Sequence, residues 1–162
     1  MPDCKLGFAV AVGDLNDDGY DDVVMGAPHR EQDNGAVYVA FGPAGMSSSV
    51  SMGDVALFAP ADHERFGDVV EIFDVNQDGF LDLLVSAPDA SVTMNNQGAV
   101  YVAFGPLSAG TDIFDLVIYG DTAEQHVGSS LYYHTDGVQH GFWAGAHLAE
   151  QSQGQALQFM VQ

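Results

Sequence analysis

Basic residues are the scarcest chemistry in this chain. Lys5, Arg30 and Arg65 stand against 23 acidic residues in a length of 162, giving a formal net charge of −20. Such a surface repels phosphate backbones and anionic lipid, which excludes nucleic acid as a partner and favours metal cations. Cysteine is limited to Cys4, so no disulfide forms within the chain, and its thiol reads as a spare one near a frayed start. No apolar run reaches the eighteen or so residues of a membrane helix, so no membrane insertion is expected. The opening MPDCKLGFAV lacks a charged start followed by a long apolar core, and no signal peptide is visible. There is no Asn-x-Ser/Thr sequon, no G-x-S-x-G, no H-E-x-x-H and no paired-cysteine metal motif. The expectation is a chain without a catalytic constellation of its own.

What the sequence does have is repetition. LGFAVAVGDLNDDGYDDVVMGAP (Leu6 to Pro28) aligns with FGDVVEIFDVNQDGFLDLLVSAP (Phe66 to Pro88), and the identical GAVYVAFGP follows each, at Gly35 to Pro43 and Gly98 to Pro106. A weaker third copy runs from Val127 to His147 and continues as GQALQFMV, Gly154 to Val161. The repeat is about sixty residues long, and the units divide at 1–62, 63–122 and 123–162. Within each, short runs rich in Val, Phe and Tyr alternate with Gly, Pro, Asp and Asn, which are strand and turn signals without a helical period. Strands are expected near 7–13, 22–27, 35–42 and 54–59; near 66–73, 81–86, 98–104 and 115–119; and near 127–133, 141–146 and 154–161. Four antiparallel strands per repeat, apolar on both faces, are what a blade of a β-propeller requires. The predicted fold class is therefore all-β, with three blades of a larger propeller, since three cannot surround an axis without open edges. Further blades of the same polypeptide, or self-association, would complete the ring.

The acidic nonapeptides DLNDDGYDD (14–22) and DVNQDGFLD (74–82) open like an EF-hand loop. They lack the Glu that an EF-hand places at position twelve, where Met25 and Val85 stand, and their flanks look like strands, so an EF-hand is rejected. Spacing instead assigns hairpin-loop oxygen ligands from Asp14, Asn16, Asp18, the carbonyl of Tyr20 and Asp22. The second set comes from Asp74, Asn76, Asp78, the carbonyl of Phe80 and Asp82. An oxygen-only set of five, completed by water, suits Ca²⁺ better than Mg²⁺, so two Ca²⁺ sites are expected. Asp17 and Asp21 become Gln77 and Leu81 in the second copy, which marks them as solvent-facing. The competing reading is an Asx-rich turn without an ion. Against it, carboxylates crowded at about 4 Å repel by roughly 1 kcal/mol per pair in water and about 4 kcal/mol at an effective dielectric near 20. Two divalent ions offset only a fraction of the net charge, so the remaining acidity points to a saline setting.

In the third unit YYHTDGVQHGF takes the loop's place, and only Asp136 and Gly137 resemble the motif. That loop reads as one that has lost its metal, with His134 and His140 on a wet hairpin. The other loop histidines, His29, His63, His126 and His147, read as solvated, and Glu64-Arg65 as an exposed charged turn. Ser129 and Ser130 look structural, while Trp143 and Tyr132-Tyr133 are expected to pack between blades.

The run from FG through D-x-N-x-D-G-x-x-D to GAP resembles the FG-GAP repeat of integrin α-subunit propellers and of secreted hydrolases such as glycosylphosphatidylinositol-specific phospholipase D. It is carried by Phe66-Gly67 with Ser86-Ala87-Pro88, Leu6-Gly7 with Gly26-Ala27-Pro28, and more weakly by Val127-Gly128 with Gly145-Ala146-His147. The resemblance implies a Ca²⁺-binding propeller, extracellular or at the cell surface, engaged in adhesion or in recognising a protein or glycan. The alternative it implies is the accessory propeller of a secreted hydrolase.

Overall fold

The computed structural model of the chain describes residues 4–43, 55–58, 63–108, 114–135, 140–147 and 154–160. Among the described residues, eleven strands build three antiparallel sheets, each a meander in chain order. The first holds β1 (Val10–Gly13), β2 (Asp22–Gly26), β3 (Ala36–Ala40) and β4 (Val55–Phe58). The second holds β5 (Val70–Phe73), β6 (Asp82–Ala87), β7 (Ala99–Ala103) and β8 (Leu116–Tyr119). The third holds β9 (Val127–Thr135), β10 (His140–Ala146) and β11 (Gln155–Met160). Three such sheets, with no closed barrel among the described residues, are propeller blades, as the apolar, turn-punctuated runs predict.

Register carries the repeat into space. Val10 faces Met25 and Val12 faces Val23 across the first hairpin, as Val70 faces Val85 and Ile72 faces Leu83 across the second. Side chains alternate between the faces of a strand. One set from blade 2 (Val70, Leu83, Val85, Tyr101) therefore packs on blade 1, whose inward set includes Val24, Val37, Val39 and Leu57. The opposite set from blade 2 (Leu84, Val100, Val102) meets Leu131, Phe142 and Ala144 of blade 3. Each fully buried Leu, Val or Phe contributes about 1.5–3 kcal/mol relative to exposure, so blade stacking rather than any single sheet stabilises the array.

The first strand of each of the first two blades begins later than the sequence suggests, at Val10 and Val70 rather than near 7 and 66. The approach segments serve two sheets at once. Phe66 N–H donates backward to Asn34 O of blade 1 at 3.1 Å, while Gly67 N–H donates to Ser86 O within blade 2 at 2.9 Å. A parallel bridge joins Gly35 to Phe66, and Gly98 makes the same bridge to Val127. Both glycines have left-handed φ (88° and 79°), and a Cβ on either would lie 2.2 Å from backbone atoms of the next blade. Only glycine fits where blades join this closely.

Aromatic rings fill the junctions. Phe66, Tyr101 and Phe114 pack mutually between blades 1 and 2, with centroids 5.2–5.7 Å apart. Tyr133 stacks on Phe73 at 4.9 Å between blades 2 and 3, as expected of that tyrosine. Its neighbours differ from the expectation: Tyr132 is 69% exposed and Trp143 36%, because alternation turns both to the outer face of blade 3.

Candidate cation-binding loops

The acidic nonapeptides form the turns of the β1–β2 and β5–β6 hairpins. Each folds around its own side chains. In the first, Asp14 accepts from the N–H groups of Asp18 (3.1 Å) and Gly19 (2.9 Å), Asn16 Oδ1 accepts from Asp18 N–H (3.1 Å), and Asp18 Oδ1 accepts from Tyr20 N–H (2.9 Å). The second repeats this pattern: Asp74 accepts from Gly79 N–H (3.1 Å), Asn76 from Asp78 N–H (3.0 Å), and Asp78 from Phe80 N–H (2.9 Å). Asn16 and Asn76 each donate Nδ2–H to the Oδ2 of Asp18 and Asp78. Consecutive Asx turns of this kind use the short acceptor side chains to cap backbone donors that no strand partner can reach. Gly19 and Gly79, at φ 89° and 93°, make the sharp bend.

Between the ligand candidates, Leu15 and Val75 point inward and are completely buried, which pins each loop to the interblade core. Asp17 and Asp21 are exposed, as the comparison of the two copies predicts.

Asp22 and Asp82 behave differently from the other carboxylates. Both are fully buried. Asp22 accepts from Leu15 N–H at 2.9 Å with one oxygen and from Gly42 N–H at 2.9 Å with the other. Asp82 does the same with Val75 N–H (2.8 Å) and Gly105 N–H (2.9 Å). Each ties the loop's beginning to the end of the blade's third strand. Burial pushes the Asp82 carboxyl above the usual carboxylate range, and nearby Asp78 adds to the rise; the N–H groups of Gly105, Val75 and Asn76 oppose it. The tie itself could not be read from sequence, because Gly42 and Gly105 lie 20 and 23 positions downstream.

Among the described residues no group of three or more His, Cys, Asp or Glu side chains is arranged to hold a metal ion. The loops still offer mixed donors. Asp74 Oδ1 is buried and has no hydrogen-bond partner, which is costly for a carboxylate oxygen unless a cation or water meets it. Asp14, Asn16, Asp18 and Asp22, with Asp74, Asn76, Asp78 and Asp82, retain spare lone pairs, because a carboxylate accepts at about four positions and an amide oxygen at about two, and in these loops the carboxylates accept one to three hydrogen bonds and each amide oxygen one. The donor set therefore fits a hard, oxygen-seeking cation. Asp136 and Gly137 of the third loop lie outside the described residues.

Elsewhere the structure corrects three expectations. Glu64 is not part of an exposed turn: it is 1% exposed at the junction of blades 1 and 2, its Oε2 accepts from the Tyr101 hydroxyl at 3.1 Å, and its Oε1 has no partner. Burial raises the Glu64 carboxyl above its ordinary value, outweighing the Tyr101 hydrogen bond, and burial beside Glu64 raises Tyr101. Arg65 is half-buried and pairs with Asp68 and, at 3.8 Å, Asp89. His126 is not solvated either; it is 8% exposed, and Nδ1 lies 2.9 Å from Asp89 Oδ1. A faint signal existed for Glu64, whose register counterpart in the third unit is the neutral, equally buried Gln125.

Comparison with known proteins places these repeats. The family model described as FG-GAP repeat matches residues 6–40 and 66–103, the regions that carry the two loops. Integrin alpha-3 of Mus musculus is 39% identical over 102 residues, covering 60% of this chain and 9% of that protein. The phosphatidylinositol-glycan-specific phospholipase D of Bos taurus is 38% identical over 117 residues, covering 65% of this chain and 14% of that protein. Integrin alpha-7 of Homo sapiens is 36% identical over 105 residues, covering 62% and 8%. The chain thus spans a small part of the length of the curated relatives it matches.

Proposed function

We propose, on the premise that this chain is built of FG-GAP repeats, that it is a noncatalytic binding module whose first two hairpin loops take Ca²⁺. Asp14, Asn16, Asp18, the Tyr20 carbonyl and Asp22 would hold one ion; Asp74, Asn76, Asp78, the Phe80 carbonyl and Asp82 would hold the other. The bound cation supplies positive charge that converts carboxylate repulsion into cross-linking of a hairpin. The remaining work belongs to the chain: Asx turns preshape each loop, Leu15 and Val75 anchor it, and Asp22 and Asp82 fix it to the end of the blade's third strand. Rigid loops at one rim of the blades would then meet a protein or glycan, at the cell surface or outside the cell. The unpartnered buried oxygen of Asp74 is the observation that carries this reading.

Calorimetry on the chain tests it. Asp78→Ala removes an exposed side chain from the second loop and leaves the first intact, so one of two Ca²⁺ sites should vanish. Two unchanged sites in that variant would refute the ligand assignment.

A second reading, that these blades are the accessory propeller of a secreted hydrolase, draws support from the likeness to phosphatidylinositol-glycan-specific phospholipase D. The two differ in flanking sequence: a zinc-ligand cluster before the first blade favours the hydrolase, whereas a membrane helix after the last favours an adhesion receptor.

A further inference from the structure

The junction of blades 2 and 3 carries a side-chain cluster outside the acidic hairpins. His126 ends the connection from β8 to β9 and is 8% exposed. Its ring lies among neighbours from three segments. Asp89 Oδ1, on the loop after β6, is 2.9 Å from Nδ1. Glu124 Oε2, two residues back, is 3.7 Å from Nε2, and the His147 ring, just past β10, has its centroid 5.1 Å away at an interplanar angle of 38°. The junction of blades 1 and 2 lacks this set: in the repeat alignment Arg65 stands at His126, His63 at Glu124 and Pro88 at His147.

A neutral imidazole that gives its Nδ1 proton to a carboxylate keeps its lone pair on Nε2, the arrangement that orients histidines toward metal ions. In His126 that lone pair faces the Glu124 carboxylate across 3.7 Å. The distance is too long for a hydrogen bond, and it is close to the roughly 3.3 Å between two ligands of a tetrahedral ion with bonds of about 2.0–2.1 Å. The same bonds put the centres of two coordinated imidazoles about 5 Å apart, as the His126 and His147 rings are. An outer layer braces the group. Arg65 Nη1 lies 3.8 Å from the other oxygen of Asp89, and Asn96 Nδ2–H donates to Glu124 Oε2 at 3.1 Å.

We propose that His126, His147 and Glu124 form a site for a borderline divalent ion of the Zn²⁺ class, with Asp89 orienting His126 and the fourth position open to water. Two nitrogens and a carboxylate oxygen match that ion rather than Ca²⁺, which takes oxygen ligands alone. His126 is fixed by burial, whereas Glu124 and His147 are exposed. No three of these groups converge on one point without the ion, so binding turns the two exposed side chains toward His126 and ties blade 3 to blade 2. The acidic hairpins lie at the other end of the strands, and calcium occupancy does not enter the inference.

The test is titration of the 162-residue chain in excess CaCl₂, with ZnCl₂ by calorimetry and with Co²⁺ by visible absorption. One Zn²⁺ per chain is expected, bound in the micromolar range, and Co²⁺ should show the intense bands of a four-coordinate ion. His147→Ala and Glu124→Gln change exposed side chains outside the strands, and circular dichroism should be unaltered. Each should weaken Zn²⁺ uptake at least about tenfold, and Asp89→Asn, which touches the ion only through His126, should weaken it by about 10–100-fold while leaving the Co²⁺ bands four-coordinate. Zinc uptake unchanged in His147→Ala, the weak bands of six-coordinate Co²⁺, or no uptake in the micromolar range would overturn the proposal.

Discussion

Replacing Asp82 by Ala separates the structural work of the loop from any cation it holds. Asp82 is fully buried and accepts from Val75 N–H and Gly105 N–H. Val75 is itself completely buried, so its N–H would be left with neither partner nor water, at a cost of about 1–3 kcal/mol. Gly105 is half-buried, and losing its charge-assisted bond adds about 1 kcal/mol. The expected destabilisation is about 2–4 kcal/mol, measured by urea unfolding in chelator, where no ion contributes. Asp78→Ala is the control. Its carboxylate is exposed and accepts only within its own loop, so in chelator that variant should lose no more than about 1 kcal/mol. A loss below about 0.5 kcal/mol for Asp82→Ala would refute the claim that this carboxylate ties the loop to the sheet.

The buried Glu64 gives a pH-dependent prediction. Its folded-state value is raised above the ordinary 4.5, so the stability it contributes is complete below about pH 4.5 and is lost as pH rises through the folded value. Glu64→Gln should therefore stabilise the chain at pH 7, by on the order of 1 kcal/mol, and the advantage should vanish below pH 4.5 in paired denaturation curves. A variant less stable than the parent at pH 7 would contradict burial of a carboxylate whose Oε1 has no partner. Gly35→Ala should cost about 2–5 kcal/mol, since left-handed strain adds to a collision with Phe66 O, whereas Gly19→Ala, with open space around it, should cost about 1–2 kcal/mol from strain alone. Equal losses for the two glycines, by thermal or urea unfolding, would sink the close-approach argument for the blade junction.

Much of the architecture was legible because its signals are local. Runs such as AVYVA and DLLVSA, bounded by Gly and Pro, announce strands, and their recurrence at about sixty residues announces blades. The loops were legible for the same reason: Asp, Asn and Gly at fixed offsets cap a hairpin from within. What sequence missed depends on neighbours distant in the chain. Glu64 is buried because Tyr101, thirty-seven positions later, closes over it, and His126 because Asp89 reaches it from the preceding blade. Tyr132 and Trp143 look like interblade residues in any repeat, yet their exposure follows from which face has a blade beside it. The second role of Asp22 and Asp82 was hidden likewise, since their backbone partners at Gly42 and Gly105 lie a full strand away.

Titrating the chain with CaCl₂ by calorimetry, after exhaustive chelation, tests the central claim most directly. Two sites with dissociation constants of about 10⁻⁴ to 10⁻³ M, the range of extracellular modules, are the expected result. Heats no larger than dilution up to about ten times that concentration would contradict a calcium-filled loop and leave the Asx turns as purely structural bends.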